Sequence, residues 1–374
     1  MSDAAPPRLT LRQRWHRLRT SPRFPFVLFL GLLVAGGLSQ VYCYWWGVRI
    51  QRMLARNGGG SRRVDLFPPW IKQSLGKHLE PLEPIRQVQL WGGISTNRAF
   101  SGDDLRILRG ALFLRELHLF ADNLSSASRE QLGCLTQLQT LGFQVVNVTT
   151  ADVIELSKLP RLDTLLLGRA NPLDFEIYKQ LAEMPQLKNL TIAPKGAGAI
   201  RGLRDLARSQ SLQRLEGRFS SDELLLALTD RLPDGGSPLP SLRELRLIQN
   251  DMSISHSNVT DAGLANLRHL PGLVHLDLSE TKVTSEGLRH LISLPNLKTL
   301  YLAHCPLSQE EVAVLAEMHN LESLNIESTS MSEESLMKLA SLPRLRRFRI
   351  TYASHEILSK VQHRLPPGCK FVHY

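Results

Sequence analysis

Hydrophobic residues recur along most of this chain in one short figure, Leu-x-x-Leu-x-Leu or a close variant. The figure begins at Ile85, Leu114, Leu138, Leu162, Leu187, Leu212, Leu242, Leu273, Leu297, Leu321 and Leu345. Seven of the ten steps between successive starts are 24 or 25 residues, and the other three are 29 to 31. A period this regular predicts stacked units, because no single unit can bury its own leucines and each must use its neighbours as core. Only the sixth unit drops a hydrophobic slot, with Gly217 where the others carry Leu, Ile or Phe.

The stretch Leu273–Asn296 shows what one unit predicts. Leu276 and Leu278 alternate with His275, Asp277 and Ser279, the period of a short strand with one buried face. Val283 returns the chain to the core, and Leu288, Leu291 and Leu294 then recur at three-residue spacing, which suits a short helix. Pro295 ends it and readies the next strand. Repetition predicts a parallel sheet on the concave side and helices on the convex side. The fold class is therefore an α/β solenoid with about eleven repeats over residues 85–374.

Exposed ends of such a stack need covers. Residues 65–84 contain Pro68-Pro69 followed by Trp70, Ile71, Leu75 and Leu79 on one face, and predict a capping helix. Cys369–Val372 falls one period after Leu345 and predicts a closing strand. Residues 24–48 form an apolar segment ending in Tyr42-Cys43-Tyr44-Trp45-Trp46, the length and aromatic border of a membrane-spanning helix. The short Ala35-Gly36-Gly37 stretch also admits a cleaved signal peptide, against which stands the aromatic cluster further on. Residues 49–64, with Gly58-Gly59-Gly60-Ser61, are expected to form a flexible tether between membrane and solenoid.

Charge sharpens this division. The net charge is +10, but residues 1–63 hold eleven arginines against the single acid Asp3, and the rest of the chain balances at 34 basic and 34 acidic groups. The basic excess thus flanks the apolar segment and belongs with a membrane surface; no nucleic-acid partner is expected. Six arginines precede the segment and five follow it, so orientation is weakly marked. A short Arg-rich tail is hard to translocate, which favours the solenoid on the extracytoplasmic side. The cysteines 43, 134, 305 and 369 show neither disulfide framework nor metal-ligand spacing.

The repeats resemble the leucine-rich-repeat superfamily over Ile85–Tyr374. Val259-Thr260-Asp261-Ala262-Gly263-Leu264 and Val283-Thr284-Ser285-Glu286-Gly287-Leu288 look most like its cysteine-containing and ribonuclease-inhibitor-like types. With its Arg-rich tail and apolar segment, the chain looks like bacterial membrane-anchored members. The resemblance implies protein binding through the concave sheet. No F-box precedes the repeats, so a ubiquitin-ligase adaptor is not implied. It also implies that Asp122, Asn250, Thr281, Cys305 and Thr329, in the slot after each strand, hydrogen-bond the turn backbone.

Enzyme chemistry finds little footing. Cys305 has no base placed beside it by motif, and Gly196-Ala197-Gly198 with Gly202 mimics a phosphate-binding turn without the following strand. His275, Asp277 and Ser279 are two residues apart along one strand, roughly 7 Å, too far for a relay. The histidines form no zinc motif; no cofactor or metal is expected. The Asn-x-Ser/Thr tripeptides at Asn123, Asn147, Asn189 and Asn258 read as accidents of the repeat.

Outward strand positions map a candidate partner-binding face. Its first end carries Trp91, His118 and Phe120, with Leu166 beyond; its middle Arg214, Glu216, Arg218, Glu244 and Arg246; its last part His275, Asp277, Tyr301, Asn325, Glu327, Arg347 and Arg349. Aromatic and arginine side chains are enriched in binding hot spots. The insertion Met252–Asn258 should rise at the edge of this face, whereas Pro233–Pro240 reads as a plain loop. A membrane-anchored protein-interaction scaffold is the reading these features favour. An envelope adhesion protein stacking glycan on Trp91 and Tyr301 is the alternative.

Overall fold

The computed structural model describes residues 45–54, 59–63, 85–91, 102–168, 172–196, 198–219, 221–247, 259–327, 329, 331–351 and 354–373. The expected capping helix over Pro68–Leu82, most of the apolar segment and the Met252–Asn258 insertion lie outside them.

Strands follow one another laterally in chain order: β1 (Gly59–Arg63), β2 (Ile85–Trp91), β3 (Glu116–Ala121), β4 (Thr140–Val145), β5 (Thr164–Leu166), β6 (Asn189–Ile192), β7 (Arg214–Gly217), β8 (Glu244–Leu247), β9 (His275–Asp277), β10 (Thr299–Tyr301), β11 (Ser323–Asn325), β12 (Arg347–Ile350) and β13 (Lys370–His373). All neighbours from β2 to β13 pair in parallel. Between β2 and β13 each pair is joined through a short helix, as parallel pairing requires a crossover. The result is a leucine-rich-repeat-like solenoid.

The register explains the core. Leu117, Leu141, Leu165, Leu190, Leu215, Leu245, Leu276, Leu300, Leu324 and Phe348 stand side by side across the sheet and are almost fully buried. Helical leucines such as Leu288, Leu315 and Leu339 close the layer from the other side. At the sixth unit the missing slot is filled from two residues on: Phe219 is fully buried, and a Cβ on Gly217 would lie 2.7 Å from its ring.

The helix-bearing face carries a second ladder, made of caps shared between units. Thr260, preceding the helix at Asp261–Leu264, donates its amide and hydroxyl to Asp222 of the previous unit, at 2.8 and 2.6 Å. Thr284 does the same to Asp261, at 2.9 and 2.6 Å. One unit later Glu311 accepts the Ser285 amide at 2.9 Å and caps its own helix through Ser308. Helix N-termini leave backbone donors unsatisfied, and carboxylates there also meet the favourable end of the helix dipole. This exchange explains the glycine in the Val-Thr-x-x-Gly-Leu figure: a Cβ on Gly263 would overlap the Asp222 carboxylate, and one on Gly287 that of Asp261.

At the first end the structure corrects the expected tether. Residues 45–54 are helical, and Ile50, Met53 and Leu54 are buried in the core. Residues 59–63 form β1, antiparallel to β2. Buried positions three and four apart give this short helix an apolar stripe, which the adjacent glycines and arginines mask in the sequence. No helix among the described residues is long and apolar enough to cross a membrane.

Candidate binding surface

Side chains at equivalent positions of neighbouring parallel strands sit about 4.8 Å apart, so each outward column of the sheet forms a lateral row. One row reads His118, Gly142, Leu166, Thr191, Glu216, Arg246, Asp277, Tyr301, Asn325 and Arg349. The row beside it reads Glu116, Thr140, Thr164, Asn189, Arg214, Glu244, His275, Thr299, Ser323 and Arg347.

In the middle, opposite charges alternate along and across these rows. Glu244 is largely buried and bridges two guanidinium groups: its Oε2 accepts from Arg214 Nε and its Oε1 from Arg246 Nε, both at 2.6 Å. Arg246 also faces Glu216 at 4.0 Å. Burial works against the Arg246 charge, but Glu244, Glu216 and Asp277 outweigh it and hold its pKa above the ordinary arginine value. Asp277 is itself oriented by the Ser279 amide, which donates to its Oδ1 at 3.0 Å. Together Arg214, Glu244, Arg246, His275, Asp277, Thr299 and Tyr301 surround a hollow of about 230 Å³.

The structure therefore gathers Arg214, Arg246, His275, Asp277 and Tyr301 from the sequence-derived face. The remaining positions are dispersed. Trp91 pairs in register with Phe120 at the first end of the sheet, and its side chain lies outside the described set. His118 donates or accepts through Nε2 at 2.8 Å from Glu116 and lies against Gly142, where a Cβ would overlap its ring. Arg218 lies one position beyond β7, and its amide donates to Ile192 O at 3.2 Å. Asn325 departs from the expectation of an exposed contact: it is buried, with Nδ2 donating to Glu327 Oε2 at 3.0 Å. Arg349 faces Glu327 at 3.7 Å, and Arg347 is exposed beside Lys370. Thr299 lines the hollow without having been singled out; its signal was its place in the column of His275.

Other candidate chemistry resolves into structure. Thr281 and Thr329 donate their hydroxyls to the turn carbonyls of Leu278 and Ile326, at 2.6 and 2.7 Å. Cys305 is buried, donates its thiol to Leu278 O at 3.3 Å, and burial pushes its pKa up. Asp122 does not follow them and is exposed. Beyond Gly196 the helix Gly198–Leu206 presents Arg201 to the Phe175 ring at 3.8 Å. Among the described residues no group of three His, Cys, Asp or Glu is placed to hold a metal ion.

No protein-family model and no curated protein matches the chain by sequence. Among solved structures it is similar to TLR13 in the TLR13-ssRNA13 complex, at 16% identity and a TM-score of 0.46, over 79% of this chain and 44% of that one. It is also similar to an internalin from Listeria monocytogenes, at 15% identity and a TM-score of 0.37, over 81% of this chain and 92% of that one. Toll in the Drosophila Toll-Spatzle complex matches at 16% identity and a TM-score of 0.44, over 71% and 34%. The chain spans less than half the length of the TLR13 and Toll chains.

Proposed function

We propose that this protein is an interaction module, held at a membrane by residues 24–48, whose open, helix-free sheet face takes a protein partner at the hollow between Arg214 and Tyr301. The observation that carries the reading is the Glu244 bridge: two arginines are held in fixed positions by a largely buried carboxylate, around a hollow that the core does not need. Ordering those side chains before contact reduces the entropy lost on binding. Arginine and tyrosine are also the residue types that most often dominate an interface. The mixture of signs in this region suits a protein surface of matching alternation better than a uniformly anionic polymer.

A glycan-binding reading drew on Trp91 and Tyr301 as stacking platforms. Those residues stand on β2 and β10, eight strands apart, or about 38 Å at the spacing of a sheet. They cannot share one sugar, and Tyr301 alone lines the hollow.

The test is crosslinking of the full chain in its native membrane, followed by comparison with an Arg246→Ala/Tyr301→Ala variant. Partners captured by the wild-type chain and lost at least tenfold in the variant support the reading. An unchanged set of partners overturns the assignment to this face.

A further inference from the structure

Among the described residues five large hydrophobic side chains are exposed: Trp45, Leu112, Phe113, Ile154 and Ile292. Three of them gather at the first end of the solenoid. The helix 45–54 lays Trp46 against Gly110, so closely that a Cβ there would overlap the indole. Trp45 packs edge-on against Trp46, with ring centroids 5.1 Å apart. Leu112 follows two residues after Gly110 and donates its amide to the Gly110 carbonyl at 3.1 Å. Trp45, Leu112 and Phe113 are 52%, 55% and 42% exposed, well beyond what core side chains of a folded unit show. Beside them Leu108, Leu112, Leu135 and Leu138 border a hollow of about 120 Å³.

The polar surroundings are mainly basic. On the outer face of the helix, Trp45, Arg49 and Arg52 follow at spacings of four and three, and Arg49 lies over both indoles at 4.6 and 5.1 Å. Arg106, Arg109 and Arg115 flank the exposed Leu112-Phe113 pair. No acidic residue occurs within 45–54; around the Leu112-Phe113 pair the acids are Asp103 and Asp104, at the start of the preceding helix, and Glu116 after Arg115. Aromatic rings bordered by arginines are the composition of a bilayer interface, where amphipathic rings sit at headgroup depth and guanidinium groups meet anionic lipid. The described part of this helix, residues 45–54, overlaps the end of the apolar segment 24–48, and Ile50, Met53 and Leu54 lock it into the solenoid core.

We infer that the first end of the solenoid rests on an anionic bilayer, with Trp45, Leu112 and Phe113 entering the headgroup region and Arg49, Arg52 and Arg109 on the lipid phosphates. The inference rests on the proposed anchoring of residues 24–48 and adds an orientation to it. A stack seated on its end holds the Arg214–Tyr301 hollow away from the membrane at a set height, six to nine strands above the first described one.

The experiment is photocrosslinking of the full chain reconstituted in phosphatidylcholine vesicles containing phosphatidylglycerol. Phe113 is replaced by p-benzoylphenylalanine, an enlargement an exposed ring tolerates, and Ile292 by the same residue as the comparison site. Lipid adducts at position 113, at least tenfold above those at position 292, are expected. A chain-to-chain adduct at 113, or no adduct above the level of 292, overturns the inference. Alkaline extraction of the same vesicles separates the two readings: a chain that stays with the membrane yet captures no lipid at 113 sinks the seated geometry alone. A chain that is extracted sinks the anchor, and lipid capture at 113 then still decides the surface.

Discussion

Polar side chains link neighbouring units on both faces of the sheet, but in different ways. On the helix-bearing face Asp222, Asp261 and Glu311 accept backbone amides at a helix start of the neighbouring unit, those of Thr260 and Thr284 exposed and that of Ser285 buried. On the open face Glu244 joins Arg214 and Arg246, side chain to side chain, at the edge of solvent. Of these amides only that of Ser285 is buried, and leaving it unsatisfied would cost the full desolvation of the group. On the open face Glu244 is buried but Arg214 and Arg246 are 50% and 39% exposed, so water and salt compete for their charges. The first arrangement holds the stack together, and the second is free to serve recognition.

The strongest way to break this contrast is Gly287→Ala. The added methyl displaces the Asp261 carboxylate and crowds Val283 Cγ1, 2.9 Å away, so both the cap and local packing suffer. The expected loss is about 2–4 kcal/mol of stability, read by urea denaturation. A cost below about 0.5 kcal/mol would mean that the shared caps do not support the stack.

Acid titration sharpens the same side of the contrast. Burial tends to raise the pKa of Glu311, but hydrogen bonds from Ser308, from its own amide and from the Ser285 amide overcome this and leave it below the ordinary value of 4.5. A carboxylate with a depressed folded-state pKa stabilises the protein above its unfolded pKa, and that contribution is lost as pH falls through the folded value. Glu311→Gln should therefore lower stability near neutral pH and narrow the gap to wild type as pH falls below about 4.5. A gap independent of pH would remove the charge from this explanation.

The smallest expected effect on stability comes from the open face. Arg246→Ala leaves Glu244 paired with Arg214 and should cost no more than about 1 kcal/mol, since Arg246 is more than a third exposed. A thermal shift comparable to that of Gly287→Ala would make the charged rows structural and erase the distinction.

Much of the fold was legible because it is local. The leucine figure recurs within each unit, and alternation and three-residue spacing separate strand from helix without knowledge of any partner. The caps were not legible: Thr260 and Thr284 stand just before short helices, but their acceptors lie 38 and 23 residues earlier, a separation with no fixed value to search for. Residues 45–48 were read as the end of the apolar segment and 49–54 as the start of a tether, because Ile50, Met53 and Leu54 are few, and adjacent glycines and arginines dominate the composition. The candidate surface was legible as a face and not as a site. His118, Asn325 and Tyr301 occupy the same column, yet one lies against a glycine, one is buried in its turn, and one borders the hollow.

What the sequence determined by itself is therefore the stack: hydrophobic periodicity suffices because each unit repeats the same local solution. Tertiary structure alone decided which charged columns meet. Contact across a sheet depends on the lateral register of β7, β8 and β9, which the longer repeats of 30 and 31 residues leave open until the strands pair.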